Sequence, residues 1–140
     1  MECVKDVKMP KIEITVPGLA APKSITFTRH GAYNNKRVRS WMDWVRDSVL
    51  TTGINQIEKG IPVGIMVDVY LPWQKATPKK VAAADGAHVQ KPDADNLLKP
   101  IMDALSEAGL WADDNQVDRI FLQKWRCPIG QERVKIVVTW

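Results

Sequence analysis

A concentration of acidic side chains in one short segment constrains this chain more than any other feature of its sequence. Residues 93–118 contain seven carboxylates and a single cation, Lys99, although the whole chain carries a formal net charge of +4. Like charges that a fold brings together destabilise it unless a cation neutralises them, and oxygen ligands suit a hard divalent ion such as Mg²⁺. The sequence therefore predicts an acidic centre in a basic protein, which is the charge layout of a metal-dependent enzyme that acts on a polyanion. The seven acids are Asp93, Asp95, Asp103, Glu107, Asp113, Asp114 and Asp118.

Length and composition predict a single soluble domain over residues 1–140. Of these residues 45% are hydrophobic and 26% are charged, which is ordinary for a globular protein with its own core. The two cysteines and two histidines are too scattered for a zinc site, so we expect reduced thiols. The sequence has no membrane-length apolar run and no signal-peptide core, so we expect a cytoplasmic protein with no membrane association.

Lysine and arginine concentrate on either side of the acidic segment. The net charge is +5 over residues 23–46 and +3 over residues 72–91. Either segment alone is typical of a solvated loop, but two basic segments around one acidic centre favour contacts with a phosphate backbone. The side chains predicted to make these contacts are Lys23, Arg29, Lys36, Arg37, Lys75, Lys79, Lys80 and Lys91.

Hydrophobic periodicity and turn residues predict a mixed fold. The predicted elements are a strand over 11–16, a helix over 36–52, a strand over 61–71, a helix from about 95 to 108, and strands over 117–126 and 133–140. This β-α-β-α-β-β order predicts an α+β two-layer sandwich with two helices packed on a small mixed β-sheet. Residues 17–35 and 73–90 are predicted as loops, the second of them mobile. Pro100 lies inside the second helical pattern, so either the regular helix begins there or the helix is kinked.

The second helix would carry a polar stripe, because Asp95, Lys99 and Asp103 are spaced four residues apart. Ion pairs on a solvated face, or a simple helix cap at Asp95, would also explain this stripe. Neither explains why Asp113 and Asp114 stand directly before a strand. If these acids converge, they can hold one or two Mg²⁺ ions, and Lys99 beside them can neutralise charge on a phosphate. On a helix, apolar residues cover the opposite side: Leu97, Leu98, Ile101, Met102 and Leu105.

The order of these residues resembles a known family. The central motif is Pro92-Asp93-Ala94-Asp95-Asn96, then Lys99, then Trp111-Ala112-Asp113-Asp114. Residues 91–105 and 109–117 resemble the signature of RusA-type Holliday junction resolvases, and residues 27–36 are similar to the N-terminal loop of that family. The resemblance covers most of the chain.

This resemblance implies a crossover junction endodeoxyribonuclease of DNA recombination and repair. Members of the family depend on Mg²⁺, for which we expect that Mn²⁺ can substitute, and work as homodimers that nick two opposed strands of four-way junction DNA. Carried over to this chain, the essential acids are Asp93, Asp95 and Asp114, the catalytic lysine is Lys99, and Asp113 is a supporting metal ligand. No other protein partner is inferred.

Two alternatives remain open from the sequence. The first is a catalytically silent protein that binds junctions or other DNA with the same fold. A complete set of acids with a lysine argues against it, because a pure binding protein gains nothing from acids beside phosphate. The second is a Mg²⁺-dependent phosphodiesterase that acts on RNA. The basic segments favour a long polyanion over a mononucleotide, and the preference for DNA over RNA rests on the resemblance.

Overall fold

A mixed five-stranded sheet forms one layer of the structure, a computed structural model that describes residues 9–140. The elements in chain order are β1 (Lys11–Pro17), β2 (Ile25–Thr28), β3 (Gly31–Asn34), α1 (Lys36–Thr51), β4 (Val63–Pro72), α2 (Lys79–Ala82), β5 (Gly86–Ala87), α3 (Ala94–Glu107), β6 (Val117–Cys127) and β7 (Arg133–Thr139). The strand order in the sheet is β1-β7-β4-β6-β5, and β2 and β3 form a separate hairpin. Among the strand pairs of residues 9–140, β4 and β6 are parallel and the others are antiparallel.

Period-two alternation decides which face of the sheet is buried. Strand β6 pairs with β4 in parallel, with Ile65 beside Ile120 and one register shift between Val63 and Gly64. Along β4, every second side chain from Val63 to Leu71 is buried. These side chains form one core with the apolar sides of α1 and α3. On the opposite face of the sheet, Met66 and Phe121 are exposed. The predicted α+β sandwich, with two long helices on a mixed sheet, is therefore confirmed.

The two predicted loops contain further elements, and here the prediction was wrong. Residues 25–34 form the β2–β3 hairpin, and residues 79–87 contain α2 and β5. The hairpin turns at Arg29 and His30, and Gly31 directly after the turn has a φ of +125°, which suits glycine. Its exposed side chains, such as Phe27 at 80% exposure, bury no face and so leave no hydrophobic period in the sequence.

Trp73 holds the second of these segments in place. Its indole Nε1 donates a 2.8 Å hydrogen bond to the carbonyl of Ala84. Gly86 packs directly on the ring, since a Cβ atom at this position would lie 2.6 Å from Trp73 Cζ2. The Arg126 guanidinium lies 6.0 Å from the ring centroid. The lysine-rich segment is thus tied to the sheet through one aromatic side chain.

Helix α3 continues across Pro100 from Ala94 to Glu107, so the regular helix begins before the proline. A proline has no N–H to donate to the carbonyl four residues earlier, which is that of Asn96. That carbonyl instead accepts a 2.7 Å hydrogen bond from the backbone N–H of Lys23. The proline therefore leaves an acceptor on α3 that a distant segment of the chain uses.

An ion pair joins the two long helices. The Arg39 guanidinium of α1 donates hydrogen bonds to Glu107 of α3 and to Asp43 one turn further along α1, each at 2.9 Å. The hydrogen bond from Arg39 is the main reason that the pKa of Glu107 lies below its ordinary value of 4.5. Both carboxylates raise the pKa of Arg39. Every helix in residues 9–140 is too short or too polar to span a lipid bilayer.

We predict that Glu107→Gln lowers the free energy of unfolding by about 0.5–1 kcal/mol at pH 7, because the ion pair is partly exposed. The folded pKa of Glu107 is lowered, so its contribution is complete above its ordinary value of 4.5 and is lost as the pH falls through the lower folded value. Urea denaturation at pH 7 and at pH 3 measures this difference, which should shrink at pH 3. Glu58→Gln, on an exposed turn, is the control. An undiminished difference at pH 3 would contradict an electrostatic origin.

Candidate active site

Four of the acidic and basic side chains singled out by the sequence line one cleft. The cleft has a volume of about 290 Å³. It is lined by Asp95, Leu98, Lys99, Met102, Asp103, Ser106 and Asp114. The residues from α3 recur every three or four positions and therefore share one side of the helix. Leu97, Ile101 and Leu105 are buried on the other side, whereas Leu98 and Met102, predicted to pack on the sheet, are only partly buried and lie in the cleft.

Two hydrogen bonds hold the Asp114 carboxylate. The hydroxyl of Ser106 and the indole Nε1 of Trp111 both donate to its Oδ1, the latter at 2.8 Å. These bonds, first that of Ser106 and then that of Trp111, lower the pKa of Asp114 below its ordinary value of 3.8, and the positive charge of Lys99 acts in the same direction. Asp114 is therefore an anchored carboxylate that is charged at neutral pH.

Lys99 stands between the acids of the helix stripe. Its Nζ donates a 3.0 Å hydrogen bond to Oδ1 of Asp103 one turn later on α3. More than half of the lysine side chain is exposed, so its remaining N–H donors face the solvent in the cleft. Asp103 thus holds the ammonium group in the cleft that Asp114 also lines, where it can reach a bound anion.

Asp93 and Asp113 occupy different places from the other predicted ligands. Asp93 is the N-cap residue of α3, makes no side-chain capping bond and is not among the residues lining the cleft. The Asp113 carboxylate accepts a hydrogen bond from the backbone N–H of Asn115. The side-chain oxygen of Gln116 in turn accepts a hydrogen bond from the backbone N–H of Asp113. These two bonds form a capping box at a short 3₁₀ turn. The Asp113 side chain therefore stabilises the turn that presents Asp114.

The donor set of the cleft fits a hard divalent cation. Residues 9–140 contain no closed group of three or more histidine, cysteine or carboxylate side chains of the kind that encloses a metal. Mg²⁺, however, is usually held by one or two carboxylates, with water and substrate phosphate completing its shell. Asp95 and Asp114 supply two such carboxylates, and the Asp95 side chain accepts no hydrogen bond from the part of the chain that the structure describes. An open Mg²⁺ site is therefore compatible with these residues.

Sequence reasoning missed three residues that support the cleft. Ser106 continues the spacing of the helix stripe, and Trp111 precedes Asp114 by three residues, so their positions could have indicated a contact. Lys124 of β6 donates to the carbonyls of Gln90 and Pro92, at 2.7 and 2.9 Å, and fixes the segment that leads into Asp93. These bonds join residues more than thirty positions apart, so no local pattern in the sequence predicts them.

The predicted DNA-binding cations are all exposed: Lys23, Arg29, Lys36, Arg37, Lys75, Lys79, Lys80 and Lys91. Two arginines of the same basic segments, Arg39 and Arg46, instead pair with Asp43. Lys23 lies beside α3 because its backbone bonds to Asn96. The structure thus separates the arginines used within the fold from cations available to a ligand.

A mixed α+β domain with a carboxylate cleft on one helix, and with exposed cations on its surface, is compatible with a nuclease. Residues 18–139 match the sequence profile of the family described as Endodeoxyribonuclease RusA. The match covers nearly the whole chain, so the chain belongs to the RusA endodeoxyribonuclease family, and the resemblance noted in its sequence is confirmed. Comparison with curated protein sequences gave no match.

We predict that Trp111→Phe raises the Mg²⁺ concentration required for half-maximal nuclease activity by about tenfold or more. The ring remains, but Asp114 loses one of the two donors that orient it, and loss of such a supporting contact typically costs 10–100-fold in metal affinity or activity. A Mg²⁺ titration of initial cleavage rates measures the effect.

Trp125→Phe is the matched control for this change. Its indole donates to Asp68 at the same distance of 2.8 Å but outside the cleft. The control should leave the Mg²⁺ requirement within about twofold of the wild type. An equal effect of the two substitutions would show that Trp111 acts on the fold in general and not on Asp114.

Proposed function

We propose that this protein is a Mg²⁺-dependent, structure-selective endodeoxyribonuclease that resolves four-way DNA junctions by paired symmetric nicks in recombination and repair. One observation carries the proposal: Asp95, Asp114 and the Lys99 ammonium line a single open cleft. Membership in the RusA endodeoxyribonuclease family supports DNA as the substrate. The exposed cations of the two basic segments suit a polyanion longer than a nucleotide.

The side chains of the cleft divide the chemistry among them. Asp95 and Asp114 would hold Mg²⁺, with Asp93 and Asp113 as further predicted ligands. The bound ion supplies Lewis acidity for phosphodiester hydrolysis. Lys99 neutralises the charge that develops on the phosphate, and its bond to Asp103 keeps the ammonium in place. In the proposed reaction, water attacks phosphorus and the bond from phosphorus to the 3′ oxygen breaks, which leaves a 3′-hydroxyl and a 5′-phosphate.

The proposed substrate also favours a two-fold assembly. A four-way junction has four strands, and the proposed reaction cuts two opposed ones at symmetric positions. Two such cuts are most simply made by two copies of one site related by a two-fold axis. We therefore propose that the active form is a homodimer in which each protomer nicks one strand.

Asp95→Asn tests the site and the reaction together. The change keeps the size of the side chain but removes a charged metal ligand, so we expect cleavage of a labelled mobile junction to fall at least about 1000-fold. Junction binding should stay equal or become tighter, because a negative charge facing phosphate is lost. Wild type with EDTA should match the variant, and linear duplex of the same sequence should remain uncut.

Each other outcome of this experiment rejects a defined part of the proposal. Wild-type cleavage rates for Asp95→Asn would remove Asp95 from the site. Tight binding to the junction without cutting by the wild type would favour a catalytically silent binding protein. Equal cutting of RNA would favour the phosphodiesterase alternative.

The lysine-rich segment gives a separate prediction about binding. Replacing Lys79 and Lys80 together by glutamine should weaken junction binding and lower the slope of log K against log salt concentration by up to about 2, since each lost phosphate contact contributes about 0.9. Fluorescence anisotropy with catalytically inactive Asp95→Asn protein measures the slope. Lys135→Gln, an exposed lysine on the uncovered face of the sheet, is the control and should leave the slope unchanged.

A further inference from the structure

Another cavity lies where strand β6 meets β5, and it shares no lining residue with the acidic cleft. Its volume is about 220 Å³. At about 30 Å³ for each molecule of liquid water, this space equals about seven waters. One nucleobase is of this size, whereas a base pair is larger. The side chains that line the cavity include Trp73, Gln74, Thr77, Val89, Gln90 and Arg126.

The walls of this cavity combine flat groups with hydrogen-bonding groups. The Trp73 indole and the Arg126 guanidinium are flat groups of the kind on which a base stacks. Gln74 and Gln90 supply amides and Thr77 supplies a hydroxyl, all of which can bond to the polar edge of a base. Stacking surfaces beside amide groups are typical of sites for unpaired bases.

Hydrogen bonds within the fold fix the polar part of the cavity. The Arg126 guanidinium donates at 2.7 Å to the carbonyl of Pro72 and also donates to Oε1 of Gln90. These two bonds set the plane of the guanidinium and occupy two of its donors. The amide nitrogen of Gln90 donates no hydrogen bond to any other group within residues 9–140. It is therefore available to donate to a ligand in the cavity.

The rim of the cavity suits a base that is attached to its phosphates. Val89 is 89% exposed, the highest value among the large apolar side chains of residues 9–140. Its side chain adds little to the core, and apolar side chains that pack against unstacked bases are exposed in this way before DNA binds. Two lining residues are each followed by an exposed lysine, Gln74 by Lys75 and Gln90 by Lys91. These cations can bind the phosphates on either side of the base.

Lys124 holds the cavity close to the predicted metal ligands. Its Nζ donates to the carbonyls of Gln90 and Pro92, so both carbonyls meet at one ammonium group directly before Asp93. Gln90 precedes Asp95 of the cleft by five residues, so their Cα atoms are at most about 18 Å apart. A DNA strand that advances about 3.4 Å per nucleotide covers this distance in about five nucleotides. A strand that is cut at the acidic cleft therefore reaches the cavity with a nearby base.

We propose that the cavity lined by Trp73, Gln90 and Arg126 takes one unpaired nucleobase of the DNA strand that is cut. The base lies within about five nucleotides of the scissile phosphate. This inference rests on the proposed function, because that function makes the cut strand the source of the base. A base in a linear duplex must leave its stack before it can enter, whereas a base that is already unpaired enters at lower cost. The cavity therefore favours branched over linear DNA.

Photo-cross-linking tests the cavity without any cleavage. Asp95→Asn protein in EDTA is bound to a four-way junction that carries 5-iodouracil at one position within about five nucleotides of its centre. Irradiation should link one such position to Trp73, as mass spectrometry of the linked peptide shows. An excess of deoxycytidine monophosphate should leave the link intact, since a free nucleotide lacks the contacts of the strand with the lysines. The absence of a link to the cavity at every position, or loss of the link to the free nucleotide, would overturn the proposal.

An abasic scan of the same junction tests what the cavity contributes to binding. Removal of the linked base should weaken binding by wild type about tenfold, which is the scale of base stacking on an aromatic side chain. Gln90→Ala removes the amide that meets the base and the partner of Arg126, so its loss of affinity for the abasic junction should be at most about threefold. Fluorescence anisotropy in EDTA measures both affinities.

Gln131→Ala is the matched control, because Gln131 is an exposed turn residue outside the cavity. It should retain the tenfold sensitivity of the wild type to the missing base. Val89→Ser removes the apolar rim without touching Arg126 and should also lower the sensitivity, whereas Val81→Ser, at a valine on α2 that is 48% exposed, should not. Equal sensitivity of all four variants would contradict a base in the cavity.

The proposed function and the base cavity fail in different ways. If the wild type binds the junction but cuts no DNA, the proposed function fails, and the cross-link still decides the cavity. If the junction is cut but no base position links to the cavity, the base cavity fails while the proposed function stands.

Discussion

The division of α3 into a buried and an exposed side is the constraint on which the rest of the site depends. Leu97, Ile101 and Leu105 are fully buried in the core, and each such side chain contributes roughly 1.5–3 kcal/mol on burial. That energy far exceeds the repulsion among partly solvated carboxylates, which water screens strongly. Burial of the apolar side chains therefore decides which side of α3 faces the core. The acids on the other side of the helix are exposed together as a consequence.

Ion pairs and a helix cap explain how this basic protein tolerates an acidic cleft. Internal pairs neutralise part of the acidic charge: Lys99 bonds to Asp103, and Arg39 bonds to Glu107 at the end of the same helix. Asp113 is occupied as a helix cap. Among residues 9–140, Asp93, Asp95 and Asp114 form no ion pair, so the acidic charge available to a metal ion is concentrated in these three carboxylates.

The sequence predicted those parts of the fold that bury a periodic face. The helix containing Trp41 and Val45, and the strand from Val63 to Leu71, were placed to within a few residues because their apolar spacing reports burial directly. The β2–β3 hairpin was missed because its exposed side chains bury no face, and β5 because a two-residue strand is too short to show a period. In the cleft, the four-residue spacing of Asp95, Lys99 and Asp103 correctly predicted that they share one side of α3. The contact of Lys124 with Pro92 was not, since it depends on how distant segments meet.

The bond between the Lys23 N–H and the Asn96 carbonyl has a consequence for how this sequence can vary. Both partners are backbone groups, so the side chains at these two positions can change without removing the tether. Pro100 favours the tether, since any other residue there would bring a competing N–H to the same carbonyl. A single imino acid, which makes no contact with DNA or metal in the proposed reaction, thus keeps the base of a cationic hairpin in register with the acids of α3.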